Sequence, residues 1–546
     1  MAGGLLNLIS TGNNNIILTG NPTKTFFKVT YAKYTNFGLQ KFRIDYGGLR
    51  NLRLTEPSTF TFKMQRYAEL LMDTYVVINL PSIWSPIYNP CAQTANMWAP
   101  YDFKWIKELG TNMISEITIT CGSQTIQKYS GEYLRAMVER DFSAEKKSLF
   151  DKMTGNVPEL NNPANTNGRV NAYPSAYYQG EGEGESNTAE PSIRGTKLYI
   201  PINTWFTLDS RCAFPMVALQ YNELYINVTF RPIQELFQVR SVFEPGYNYP
   251  YVQPDFNLPQ FNMYQFLQTP PPDLTVPNAY KNTTNIWNAD IHILATYCFL
   301  TAEESRQFAS EDQAYLVKDV FEYTFQNITG TQKLKLTSSG MVANWMMYLQ
   351  RNDVNMRNEW SNYTNWPYYN LPSDIQNAPI PGPGDNSESG VLKSTGIFVS
   401  GKFSPENQKE ILETMAIVFN GDYRENVLES GVYNYIEKYV RTKGNAKDGL
   451  YCYNFCLNTD PFDYQPSGAI NLSKFRLVEL EVTTFVPPFD IENMSYNIIC
   501  DPNGIPIGTS KSNWKLFEYN YNMKVFEERY NILSFIGGNC AMLYAR

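Results

Sequence analysis

The sequence predicts an all-β protein: two consecutive β-domains of one architecture, each a sandwich or barrel, with long loop insertions and a few short helices. Three observations predict it. The 546 residues include 39 Tyr, 32 Phe, 33 Gly and 33 Pro, and only 18% are charged, a mixture that favours strands and turns over helices and disorder. Short stretches throughout alternate apolar and polar residues, as antiparallel sheets with one dry and one wet face require. The two halves also match each other in order, the signature of an internal repeat.

The repeat is carried by "EITITCGSQTIQKYSGEY" (116–133) and "MAIVFNGDYRENVLESGVY" (415–433). Each has a strand ending at glycine, Gly122 or Gly421, then Ser-Gly-x-Tyr about ten residues on. Downstream, "KLYIPI" (197–202) parallels "LYCYNF" (450–455), and a final alternating strand follows at 224–230 or 478–485.

Along the chain, residues 1–25 form a polar arm with one small apolar cluster. "TFFKVTY" reads as the first strand, with Phe27, Val29 and Tyr31 on one face. In "EITITCG" Ile117, Ile119 and Cys121 face inward; in "ELYINVTF" Leu224, Ile226, Val228 and Phe230 do; in "RLVELEVTTF" Val478, Leu480 and Val482 do. Ser143 is placed to cap a helix through "AEKKSLFDKM", and Thr301 with Glu304 forms a capping box for "AEESRQFA". Long segments of low periodicity lie at 81–102, 156–194 and 352–390. The resulting division is an arm (1–25), a first β-domain (26–235), a linker (236–285) and a second β-domain (286–546).

The composition excludes several functions. A net charge of −8, with basic runs no longer than pairs such as Lys146-Lys147, argues against direct nucleic-acid binding. The eight cysteines are scattered, Cys452 and Cys456 being the nearest pair, and His292 is the one histidine. Zinc and His-dependent triads are therefore not expected; reduced, packed thiols and a structural His292 on a strand are. "MAGGLLNLIS" lacks a basic n-region, and no stretch reaches the ~20 apolar residues of a membrane span, so the expectation is a soluble chain made in the cytoplasm. "GIFVSGKFS" (396–404) has phosphate-loop spacing, but Phe403 stands where a magnesium-binding hydroxyl belongs. "GEGEGE" (180–185) lacks the ligand order of a calcium loop, and Glu479 with Glu481 reads as a solvated strand face rather than a hydrolytic pair. No catalytic residue, cofactor site or metal site is expected. Of six Asn-x-Ser/Thr sequons, Asn282 and Asn362, in loop-like segments, are the glycosylation candidates.

"LTGNPTKTFFKVTYAKYTNF" (18–37) resembles the N-terminal signature of the major capsid proteins of nucleocytoplasmic large DNA viruses, the double jelly-roll family. "FPMVALQYNELYINVTF" (214–230) resembles the last strands of that family's first jelly roll, and "TYCFLTAEESRQFA" (296–309) the opening of its second. "NGDYRE" (420–425), "QPSGAINLSKF" (465–475) and "YNILSFIGGNCAMLYAR" (530–546) are similar to further family motifs, with Ala32 and Leu472 as departures. The resemblance implies two eight-stranded jelly rolls and a structural protein, not an enzyme. It implies homotrimeric pseudo-hexagonal capsomers of an icosahedral shell, assembled in the host cytoplasm. Implied partners are copies of the chain itself, minor capsid and penton proteins, and proteins of an internal membrane, with no direct nucleic-acid contact. The abundant Tyr and Trp motivate one alternative, a carbohydrate-binding or carbohydrate-active β-sandwich.

Overall fold

The computed structural model describes residues 3–88, 99–100, 102–169, 172–176, 190–240, 251–271, 278–368, 408–463, 465–487, 497–500, 506–510 and 518–544. The stretches 180–185 and 396–404 lie outside the described residues, as do parts of all three long loops.

Sixteen principal strands form two sandwiches. The first contains β1 (Phe37–Asp45), β2 (Ser58–Lys63), β3 (Leu70–Asn79), β4 (Ile114–Cys121), β5 (Gln124–Tyr129), β6 (Lys197–Pro201), β7 (Leu224–Phe230) and β8 (His292–Leu300). Its sheets run β1-β8-β3-β6 and β2-β7-β4-β5. The second contains β9 (Gln313–Ile328), β10 (Thr331–Leu336), β11 (Met341–Arg351), β12 (Leu412–Phe419), β13 (Asp422–Glu429), β14 (Leu450–Asn454), β15 (Val478–Thr484) and β16 (Tyr521–Ile536). Its sheets run β9-β16-β11-β14 and β10-β15-β12-β13. Adding eight to each strand number of the first sandwich gives the second. Both are jelly rolls, each an eight-stranded pair of packed antiparallel sheets.

The alternation sets the cores. On β7, Leu224, Ile226, Val228 and Phe230 are buried; on β15, Val478, Leu480 and Val482 are. Burying each such side chain contributes roughly 1.5–3 kcal/mol. Opposite them, the first core receives Leu71, Val76 and Ile78 of β3, and the second receives Trp345, Met347 and Leu349 of β11. The matched glycines sit at equivalent hairpins, Gly122 between β4 and β5 and Gly421 between β12 and β13. At the latter, Asn420 and Gly421 have φ of 52° and 94°, the left-handed pair of a tight two-residue turn.

Two boundaries differ from the sequence reading. Residues 25–31 form no strand: they are exposed throughout, and β1 begins at Phe37. Alternation supplies two faces, but a strand also needs a partner for its backbone groups, and among the described residues none pairs with this stretch. The second sandwich likewise does not open at residue 286. β8 lies between β1 and β3, paired with both, and sends Ile293, Ala295 and Tyr297 into the first core. The supposed linker 236–285 is thus an excursion within the first sandwich. It contributes the short strands Phe237–Arg240 and Tyr251–Val252, which make a small sheet with Phe103–Trp105.

The helices are short. α1 (Gly131–Asp141), α2 (Ala144–Met153) and α3 (Ala302–Ser310) are capped by Ser130, Ser143 and Thr301, whose side chains accept from Tyr133 N, Lys146 N and Glu304 N. After β13, a π turn (Val432–Ile436) runs into α4 (Glu437–Arg441). Among the described residues no helix is long and apolar enough to cross a membrane.

Candidate assembly interface

The two sandwiches meet through unlike surfaces. α1, which follows β5 in the first, lies against the outward face of β11 and β16 in the second. Tyr133 Oη donates to Glu528 Oε1 at 2.9 Å, and Arg140 donates to Asn344 Oδ1 at 2.7 Å and Glu528 Oε1 at 2.9 Å. Asn344 Nδ2 donates to the other Glu528 oxygen at 2.8 Å. Glu132, in the first turn, accepts from Lys524 at 2.6 Å, Arg231 at 2.6 Å and Tyr348 at 2.7 Å. Apolar contact accompanies these bonds: Met346, Tyr348 and Phe526 of the second sandwich belong to the same buried cluster as Tyr133 and Met137.

Charge balance decides the electrostatics here. Burial opposes ionisation of Glu132, but the Lys524 ammonium and the Arg231 guanidinium outweigh it and hold the carboxyl at about 2. Burial likewise raises Glu528, and Arg140 and Lys318 more than offset it, leaving its pKa below the usual range. For Asp141, beside Arg140, burial wins and the pKa is raised. Arg140 itself is held charged well above its usual value by Asp141 and Glu528, against burial.

Beside this joint is a polar cavity of about 340 Å³ lined by Lys107, Glu108, Arg135, Glu139, Lys147 and Lys447, among others. Lys447 Nζ bonds Glu108 at 2.9 Å, Arg135 Nε stands 3.2 Å from the same carboxylate, and Arg135 and Lys147 both bond Glu139. The acids here are engaged by cations, unlike a hydrolytic pair, which needs one protonated and one free carboxyl.

The remaining sequence candidates are placed as follows. His292 opens β8, buried, with Nδ1 2.6 Å from Asp290 O. Cys121, Cys298, Cys452, Cys456 and Cys540 are free and buried, and among the described residues no cluster of metal-ligating side chains occurs. Glu481 faces outward and pairs with Lys333 across the sheet at 3.3 Å. Asn282 is exposed. Asn362 is corrected as a glycosylation candidate: it is 0% exposed, its amide donates to Trp366 O at 2.8 Å, and its Oδ1 accepts from Thr364 N at 3.0 Å. The loop-like segment around it is folded about Asp353, which bonds Arg351 at 2.7 Å and Arg357 at 3.0 Å.

The sequence reading missed α1. Its signal was present: Ser130 as cap, then Tyr133, Leu134, Met137 and Val138 at helical spacing.

Two like sandwiches in one chain, joined through a polar seam, define a class: double jelly-roll proteins. Residues 25–267 match the family described as "Major capsid protein N-terminus", and residues 304–541 match "Large eukaryotic DNA virus major capsid protein". The chain belongs to this family of major capsid proteins, and it is a structural protein of the virion capsid rather than an enzyme. It is 23% identical to the major capsid protein of Phaeocystis pouchetii virus, over 96% of this chain and 97% of that one. It is 20% identical to that of Paramecium bursaria Chlorella virus 1, over 100% of both. The fold is that of the solved PBCV-1 protein VP54 (TM-score 0.60, 18% identity, 96% of this chain and 100% of that one). The Faustovirus major capsid protein shares it as well (TM-score 0.58, 11% identity, 96% and 94% covered).

Proposed function

We propose that three copies of the chain close into a ring of six sandwiches, the pseudo-hexagonal capsomer of an icosahedral large DNA virus shell. One observation carries the reading: α1 of the first sandwich seats on the β11–β16 face of the second, a contact between unlike surfaces of like modules. A heterologous contact repeated between like units builds a ring when its rotation closes. With two units per chain, three chains complete six positions. The relatives' printed names, major capsid proteins of large DNA viruses, support the same end product.

Capsomers of this kind assemble in the host cytoplasm and meet minor capsid and penton proteins. Residues 3–36, exposed throughout with Phe26, Phe27, Val29 and Tyr31 outward, suit an arm that gains its contacts in the shell, next to proteins of an internal membrane. Asn282 is the sequon candidate open to modification. Native mass spectrometry of the purified chain tests the reading: a species of three chain masses, seen as hexagonal outlines by negative-stain microscopy, is expected. A chain that stays monomeric at every concentration overturns it.

A further inference from the structure

The helix that seats the first sandwich on the second has a twin whose outer side is exposed among the described residues. Ser130-Gly131-Glu132-Tyr133 and Ser430-Gly431-Val432-Tyr433 occupy the same place after β5 and β13. Tyr133 and Tyr433 are both buried. Beyond them the two helices diverge. In α1, Arg135, Ala136, Val138, Glu139 and Arg140 are all buried. In the twin, Tyr435, Ile436, Tyr439 and Val440 are 54%, 55%, 91% and 56% exposed. The π turn adds a residue to this helix. Whichever way that residue is assigned, Tyr439 and Val440 fall opposite Val138–Arg140. Positions sealed inside the molecule in the first sandwich are therefore open, and apolar, in the second.

A matching seat is present. α1 rests on β11 and β16, whose counterparts in the first sandwich are β3 and β8. Tyr75 of β3 stands directly opposite Leu294 of β8, and Leu294 opposite Arg43 of β1, so the three share one face of the sheet. It is the outward face, because the alternate residues Val76, Ile293 and Ile44 are in the core. Tyr199 of β6, opposite Val77, extends the same face. Tyr75 and Leu294 are half-buried, Tyr199 and Arg43 exposed, and Lys41 lies two residues from Arg43. The result is an aromatic and aliphatic centre with a rim of balanced charge, Arg43 paired with Asp45 and Asp290 and Lys41 acting on Asp73.

We infer that the Tyr435–Val440 face of one copy docks on the Tyr75–Leu294–Tyr199 face of a second copy of this chain, repeating between chains, with apolar side chains, the joint that α1 makes with charged ones inside a chain. The inference rests on the capsomer reading and names the surfaces that would close it. The occupant is a second copy because the seat that fits this helix position is the one the fold itself supplies twice, and the described residues cover only one of the two with such a helix. Apolar side chains suit a joint formed between separately folded chains, since no buried charge is left unpaired before the partner arrives.

The test is native mass spectrometry at micromolar concentration of three chains: wild type, Ile436→Asp with Tyr439→Asp, and Leu294→Asp, each checked for folding by circular dichroism. Trimeric wild type, with at least a tenfold loss of trimer in both variants, is the expected result. The conservative Ile436→Leu with Tyr439→Phe chain is expected to keep the trimer. Should an aspartate variant fail to fold, Tyr435→Lys with Val440→Lys, at two further exposed positions, reads the same face. A trimeric wild type whose folded variants stay equally trimeric overturns this joint and leaves the capsomer reading standing. A wild type that never leaves the monomer overturns both.

Discussion

Arg140 is the side chain on which the internal joint turns. It is 1% exposed and faces Asp141 and Glu528, themselves 0% and 1% exposed, with Asn344 as a fourth member. Removing the cation takes from two buried carboxylates the ion-pair partner they share, so Arg140→Ala is expected to lower stability by about 3–5 kcal/mol, read as a shift of the urea midpoint. Glu132 adds a pH dependence. Its folded carboxyl, held at about 2, lies below the unfolded value near 4.3. The stability it contributes is complete above about pH 4.5 and is lost as pH falls toward 2, about 3 kcal/mol in all. Glu132→Gln is expected to be less stable at pH 7 and to show a flatter midpoint–pH curve below 4.5. Residue identity alone did not show burial at this scale. Asn362 sits in a sequon within an aperiodic segment, and only the packing around Asp353, Arg351 and Arg357 reveals that its amide is sealed inside.

The two Ser-Gly-x-Tyr elements share a motif and differ in surroundings, so the same substitution has opposite expected effects. A Cβ on Gly131 would stand 1.9 Å from Thr111 O and 2.6 Å from Ile114 O, both backbone atoms. Gly131→Ala must push the start of α1 away from Thr111 and Ile114 of its own sandwich and is expected to cost about 3 kcal/mol or more. A Cβ on Gly431 would meet only Tyr435 Cδ2 at 3.7 Å, and its φ of −59° is helical. Gly431→Ala is therefore expected to stabilise by up to about 1 kcal/mol through helix propensity; thermal unfolding of the pair separates the two cases. Elements with one dry face were legible, as β4, β7 and β15 show, and so were the capped helices α2 and α3. α1 and the π turn with α4 were passed over. α1 has its cap and apolar stripe, but its other side buries the charged Arg135, Glu139 and Arg140 at the seam, which no periodicity announces. The π turn with α4 is apolar on more than one side. The false strand at 25–31 is the converse: alternation without a partner.

At the scale of the whole molecule, the ordered match between halves was enough to predict two sandwiches of one kind, and the strand orders β1-β8-β3-β6 and β9-β16-β11-β14 agree to the last member. What the repeat did not reveal was where the first copy ends, because β8 is separated from β7 by a 61-residue excursion, 231–291, that reads as a connector. The position of that strand has a consequence for synthesis. A ribosome makes the chain in the N-to-C direction, and β1 and β3 are not bridged until β8 has emerged, after the whole 231–291 excursion has been translated. Until then each holds an unpaired edge open to solvent. Protease resistance of stalled nascent chains should appear abruptly once residue 300 has cleared the exit tunnel, and the interval before it is when this chain most needs a chaperone.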